Sequence, residues 1–255
     1  MSTQTLSELR LEGWVSVRAA LIAQNRQIFE IWLQSGKENK HLDAIKKRAK
    51  EQGVPVRVVD ESQIAGQTDG SSHGGVLAFV SERQFLPLED LSSGPQAAFL
   101  VMLDGVEDPY NFAQALRAVY ACGAHGLILR PRNWTSAAAT VSRASAGTSE
   151  FMRMAIADSD EEILALVKQQ KLKLVCSDLS STAISPSEAN LKQGLLLVIG
   201  GEKRGISKSL LKAADLTLEI PYGRKFKQSL GVTSSAAILA YEVMMQRQQK
   251  SPKRS

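Results

Sequence analysis

The sequence predicts an α/β protein in two parts: a C-terminal domain built on a parallel sheet, preceded by a smaller α/β domain. Three observations predict this. From residue 98 onward, short apolar runs alternate with segments of helical period, the pattern of strand–helix–strand units. Two of those runs, 98–103 and 195–199, are apolar without interruption, as strands buried on both faces are. Between the parts, SERQFLPLEDLSSGPQ (81–96) has no sustained period and carries Pro87 and Ser92-Ser93-Gly94-Pro95, the composition of a linker. The expected boundaries are 1–82 for the first domain, 83–96 for the linker, 97–247 for the second domain and 248–255 for a disordered basic tail.

In chain order, residues 1–15 show little regularity. A short helix is expected over 17–23 and a strand over 27–33 (QIFEIWL). A helix over 41–52 sets Leu42, Ile45 and Ala49 on one side and Lys46, Lys47, Arg48 and Lys50 on the others, and stops at Gly53. A strand over 54–59, a helical turn over 60–65, a glycine-rich loop over 66–75 and a strand over 76–80 complete the first domain. In the second, a strand over 98–103 leads to a turn in which Asp108 serves as N-cap and Pro109 as the first helical residue. The helix that follows places Phe112, Ala115, Leu116, Val119 and Tyr120 on one stripe, with Asn111 and Arg117 on opposite flanks. Strands are expected over 126–129, 151–156, 171–176, 195–199 and 216–220, helices over 135–146 and 160–168, and a polar loop over 177–190. A final helix carries Ala236, Leu239, Ala240, Val243 and Met244 at i, i+3, i+4, i+7 and i+8.

Composition narrows the class. Of the 255 residues, 44% are hydrophobic and 22% charged, with a formal charge of +5, a mild basic excess compatible with a polyanionic partner. The two cysteines, Cys122 and Cys176, sit in apolar segments, as reduced packing residues do. The amino-terminal MSTQTLSELR lacks the apolar stretch of a signal peptide, and no apolar run reaches membrane-spanning length, so a cytoplasmic protein with no membrane partner is expected.

The usual catalytic fingerprints are missing. There is no GxGxxG after a strand, no P-loop and no GxSxG elbow, and none of the three histidines, His41, His73 and His125, pairs with a cysteine at metal-ligand spacing, so no metal is expected. Three segments remain, 104–117, 200–207 and 220–233, each at the carboxyl end of an expected strand, where open α/β sheets bind ligands. They share glycines that let a backbone approach a ligand, a carboxylate, arginines and small polar residues, a set suited to main-chain contacts and an anion clamp.

These residues resemble a known family. Asp108-Pro109-x-Asn111 with Arg117 beyond it, then Gly201-Glu202-x-x-Gly205, then Ile220-Pro221-x-Gly223 with Ser229-Leu230, look like the three motifs of the SPOUT RNA methyltransferases, SpoU (TrmH-like) branch, in order and after the right strands. Arg143-Ala144-Ser145-Ala146-Gly147 is similar to the family's middle region. The first domain, closed by His73-x-Gly75-Val76-x-Ala78, is similar to the ribosomal-protein-like substrate-binding domain that often precedes the catalytic one.

The resemblance implies a deep trefoil knot in the C-terminal domain, an exception to the rule against threaded chains. It implies a homodimer with the site near its interface, S-adenosylmethionine as cofactor, and methyl transfer to a ribose 2′-hydroxyl of ribosomal or transfer RNA. By position it assigns cofactor binding to Ser177, Ile199, Gly200, Gly201, Ile220, Pro221, Ser229 and Leu230, and catalytic roles to Asn111, Arg117, Glu202 and Ser229. Arg224, Lys225 and Lys227 are the phosphate-contact candidates, because their loop adjoins that site. A guanidinium does not give up its proton, so Arg117 is expected to bind the phosphate beside the target ribose and orient the hydroxyl, with Glu202 orienting Arg117 or the sugar and Asn111 holding its loop. The chain departs from the family pattern twice: Ala113 stands where glycine is usual, and Ser229-Leu230-Gly231 replaces Ser-Leu-Asn, a gap that Thr233 or Ser234 would have to fill. The alternatives are an RNA-binding protein on the same scaffold without turnover, for which Gly231 speaks, and a different nucleotide-binding α/β enzyme.

Overall fold

The computed structural model describes residues 9–68, 73–92, 97–131, 137–225 and 228–248. By its internal contacts the chain divides into two units, Met1–Gln84 with Asn133–Phe151, and Phe85–Arg132 with Met152–Ser255.

The first unit is a four-stranded sheet in the order β1-β4-β2-β3, with β1 Leu9–Glu12, β2 Ile28–Gln34, β3 Val56–Val59 and β4 Val76–Val80. β4 is antiparallel to both its neighbours, and β2 runs parallel to β3. The helices α1 (Gly13–Ala23) and α2 (Lys40–Glu51) put Val17, Leu21, Leu42 and Ile45 against Leu11, Ile31, Leu33 and Ala78 of the sheet. Asn39 caps α2, its side chain accepting from the amides of His41 and Leu42. The short α3 (Glu61–Ala65) brings Ile64 to the other face, beside Leu77 and Phe79. β1 occupies a stretch with no sequence periodicity: four residues are too few to show a period, and pairing with β4 is what extends them.

α5 (Ala138–Ala144) and α6 (Thr148–Phe151) also belong to this unit by packing, although the sequence places them among the strands of the second domain. Arg143 pairs with Glu12 at 2.8 Å, and the buried Glu150 accepts from Arg26 Nε at 2.8 Å and Nη2 at 3.1 Å. Burial lowers the Arg83 guanidinium to about 10, with Glu150 opposing that shift and Arg26 adding to it. A Cβ on Gly147 would stand 2.7 Å from the Ala19 side chain, so α6 and α1 meet where only glycine fits. The expected strand over 151–156 is thus shorter, β7 being Met154–Ile156.

The second unit is a six-stranded, all-parallel sheet in the order β10-β8-β9-β5-β6-β7. Its strands are β5 Phe99–Asp104, β6 Gly126–Leu129, β7, β8 Lys173–Ser177, β9 Leu195–Gly200 and β10 Leu216–Leu218. All of β5 is buried, and β9 is buried as far as Ile199, which is why both read as unbroken apolar runs. On one face α4 (Pro109–Ala121) packs against α9 (Val232–Gln248). Ile163 and Leu166 of α7 (Asp160–Gln169) and Leu210 of α8 (Lys208–Ala213) join the core formed with Leu100, Met102 and Val198. Asp108 caps α4 as expected, accepting from the Asn111 amide at 2.7 Å, with Pro109 at the first turn.

Two segments at the expected domain boundaries are held by contacts. After residue 84 the Leu86 amide donates to the Met154 carbonyl, and Leu91, in a 3₁₀ turn over Leu88–Ser92, is fully buried. The end of α9 is held in the same way. Gln246 bonds the Leu191 amide and the Pro186 carbonyl, and Arg247 donates to the carbonyls of Ala97, Ala98, Leu191 and Gln193 with its guanidinium over the Phe99 ring. Residues 249–255 of the expected tail lie outside the described residues. No helix among the described residues is long and apolar enough to cross a membrane.

Candidate functional site

Because every strand of the second sheet is parallel, the ends of β8, β9 and β10 fall on one edge, and a cleft of about 230 Å³ opens there. Of the residues expected to hold a cofactor, Ser177, Ile199, Gly200, Gly201, Ile220, Ser229 and Leu230 line it, and Pro221 does not. Segments more than fifty residues apart in sequence thus line one cleft.

The glycines are dictated by contact. A Cβ on Gly201 would stand 2.3 Å from the Gly105 carbonyl oxygen, and one on Gly200 would stand 2.7 Å from the Gly205 backbone. The chain turns back there, the Gly205 amide donating to the Gly201 carbonyl at 2.9 Å. Between them Glu202 lines the cleft, while its neighbours Lys203 and Arg204 lie 3.4 and 3.5 Å from Glu107. The cleft carries Asp178, Glu202 and Glu219, and no lysine or arginine among the described residues lines it. It therefore favours a ligand bearing positive charge. Burial, with the Asp178 and Asp104 carboxylates adding to it, pushes the Cys176 thiol at the end of β8 up to about 12, which leaves it a neutral packing residue as expected.

The other expected site residues are distributed differently. Arg117 is exposed on α4 and lines no part of the cleft. Asn111 is half-buried, and its carbonyl accepts from the Thr233 hydroxyl at 3.4 Å, joining the first turns of α4 and α9. Glu202 Oε1 lies 3.1 Å from where a Cβ on Gly231 would be, so the carboxylate uses the space left by the absent side chain. Arg224 and Lys225 are exposed beside the cleft without lining it, and Lys227 lies outside the described residues.

Sequence reasoning missed Tyr222, Asp178 and Glu219, all of which line the cleft. Tyr222 accepts the Leu230 amide on its hydroxyl oxygen at 3.1 Å and so spans the loop that carries Arg224 and Lys225. Its place inside Ile220-Pro221-x-Gly223 was the available signal, and Asp178 follows directly on Ser177. Among the described residues no group of three or more histidine, cysteine or acidic side chains stands close enough to hold a metal ion.

Comparison with known proteins gives this cleft a lineage. Residues 98–241 match the model of the SpoU rRNA methylase family, and residues 10–86 match that of the RNA 2′-O ribose methyltransferase substrate-binding domain. The chain is 27% identical over 251 residues to a 23S rRNA (guanosine-2′-O-)-methyltransferase of Bordetella pertussis, covering 97% of this chain and 99% of that one. It is 26% identical over 238 residues to the Shewanella oneidensis protein of the same description, covering 92% and 96%. Its fold matches an AdoMet-bound rRNA methyltransferase from Sinorhizobium meliloti with a TM-score of 0.79 at 22% identity, covering 96% of this chain and 88% of that one. An RNA 2′-O ribose methyltransferase matches with a TM-score of 0.78 at 24% identity, over 95% and 90%. With a family match spanning more than half its length, on the sheet whose strand ends form the cleft, the chain belongs to the SpoU rRNA methylase family.

Proposed function

We propose that this chain is an S-adenosylmethionine-dependent ribose 2′-O-methyltransferase acting on ribosomal or transfer RNA. The observation that carries the reading is the cleft itself: in a chain of this family, two of the three motif loops close around one pocket at the sheet's carboxyl edge. The residues present suit the cofactor. Gly200 and Gly201 make a wall without Cβ atoms, and Asp178, Glu202 and Glu219 place negative charge around a ligand that carries a sulfonium. When bound, S-adenosylmethionine supplies a methyl on a good leaving group, so alignment is the protein's main task. In this reading Arg117 holds the phosphate beside the target ribose and orients the 2′-hydroxyl. So held, the hydroxyl would be placed to accept the methyl that the bound cofactor would supply, its own proton passing to water. Glu202 orients that arrangement from the cleft wall, and the exposed Arg224 and Lys225 meet the RNA backbone.

Two further features belong to the same proposal. The first is the threaded chain. β10 is flanked by β8 on one side and by Ile184 on the other, so the loop between β8 and β9 runs around it. The second is the homodimer. Tyr110 on α4 and Ile238 and Tyr241 on α9 are exposed and Arg117 does not line its own chain's cleft, so in this reading two copies pair through these helices and a second copy's Arg117 serves the site. Gly231 does not favour an inactive RNA binder, since Glu202 reaches the space it leaves.

Incubation with methyl-labelled S-adenosylmethionine and ribosomal or transfer RNA, followed by nuclease digestion, is expected to yield label on a ribose 2′-oxygen. Binding of neither cofactor nor RNA, or label on a base, overturns the reading.

A further inference from the structure

Both ends of the loop that walls the cleft are tied to one residue outside it. The Gly201 amide donates to the carbonyl of Asp104, the last residue of β5, at 2.6 Å. The Ser207 amide donates to Asp104 Oδ2 at 3.1 Å. The other carboxylate oxygen, Oδ1, accepts from Arg130 Nε at 3.3 Å. Arg130 also pairs with Asp160, which accepts from the Ser209 hydroxyl at the start of α8. Asp104 is 7% exposed, and none of its side chain lines the cleft. The residues between the two ties, Glu202, Gly205 and Ile206, do line it.

We infer that Asp104 is a positioning residue for the cofactor: by holding Gly201 through its backbone and Ser207 through its carboxylate, it keeps the cleft wall in its binding form before any ligand arrives, with Arg130 fixing the carboxylate's orientation. A loop ordered in advance loses less conformational freedom on binding, so the ties appear as affinity. The ligand named here rests on the function proposed above.

The test is calorimetric binding of S-adenosylmethionine to the full chain, with thermal unfolding as the folding control and amide hydrogen exchange at Ser207 as the local readout. Asp104→Ala is expected to weaken binding about tenfold or more, the fold-change of losing one hydrogen bond to a charged group. In turnover the KM for the cofactor is expected to rise more than kcat falls, and the Ser207 amide to exchange faster. Asp104→Asn keeps an oxygen for the Ser207 amide and is expected to recover most of the affinity. Alanine binding within twofold of the parent with Ser207 still protected overturns the inference, as does asparagine binding no better than alanine. Should neither variant fold, Ser207 exchange in the parent decides: slow exchange without ligand supports the tie, and exchange at the rate of an unstructured amide overturns it. A parent chain that binds no S-adenosylmethionine overturns the proposed function and the ligand named here. The exchange result then still decides whether Asp104 fixes the loop.

Discussion

The two loops that line the cleft are built on opposite principles. The Gly201–Ser207 loop is pressed on the Gly105 backbone, closed on itself at Gly205 and tied twice to Asp104. The described residues of the 220–230 loop are mostly exposed and include Arg224 and Lys225, and the Leu230 amide donates across the loop to the Tyr222 hydroxyl. The first is shaped by backbone close approach, which leaves no room for variation. The second presents charge, which needs exposure more than exact placement. On the function proposed above, the Gly201–Ser207 loop would shape the place of the small molecule, and the exposed part of the 220–230 loop, whose ends also line the cleft, would meet the polyanion.

The sharpest way to break this comparison is Gly201→Ala. The new methyl would sit 2.3 Å from the Gly105 oxygen, so the wall must move. Overpacking of this kind destabilises by about 1–3 kcal/mol, and S-adenosylmethionine binding is expected to fall below calorimetric detection. Normal affinity would show that the wall is not rigid. Next in size, Arg117→Ala is expected to reduce single-turnover methyl transfer by roughly 100-fold, the scale for losing one charge-stabilising donor. Cofactor binding should stay within about twofold, since Arg117 lines no part of the cleft. Full turnover would remove Arg117 from the site.

The double variant Arg224→Ala/Lys225→Ala probes the exposed wall. RNA affinity is expected to drop for all sequences alike, and the slope of log affinity against log salt to fall by about 2, one unit for each phosphate the variant no longer neutralises. An unchanged slope would place the RNA elsewhere. The smallest effect belongs to Tyr222→Phe, which removes one neutral hydrogen bond, worth about 1 kcal/mol. A change in cofactor affinity of about fivefold at most is expected by calorimetry. A loss as large as that of Gly201→Ala would erase the contrast between the walls.

How much was legible beforehand differs along the chain for physical reasons. The strands β5 and β9 were readable because burial on both faces forces every position to be apolar. The cap of α4 was readable because Asp108 and Pro109 act within one turn. β1 was not, since its conformation comes from pairing with β4, nearly seventy residues away. The role of Arg247 was hidden as well: a basic residue in a polar stretch looks solvated until four carbonyls are found around it. Tyr222, too, looked like filler between Pro221 and Gly223.

By itself the sequence determined the alternation of strand and helix, the all-parallel character of the second sheet, the glycine-bearing turns after its strands and, through motif order, the family. These are local or pattern properties, written in period and composition. Tertiary structure alone decided that the helices at 138–151 pack with the first unit, that Arg117 lines no part of the cleft, that Glu202 lies beside Gly231, and that Asp104 holds both ends of the loop. Each is a spatial relation between residues distant in sequence, and no local pattern encodes it.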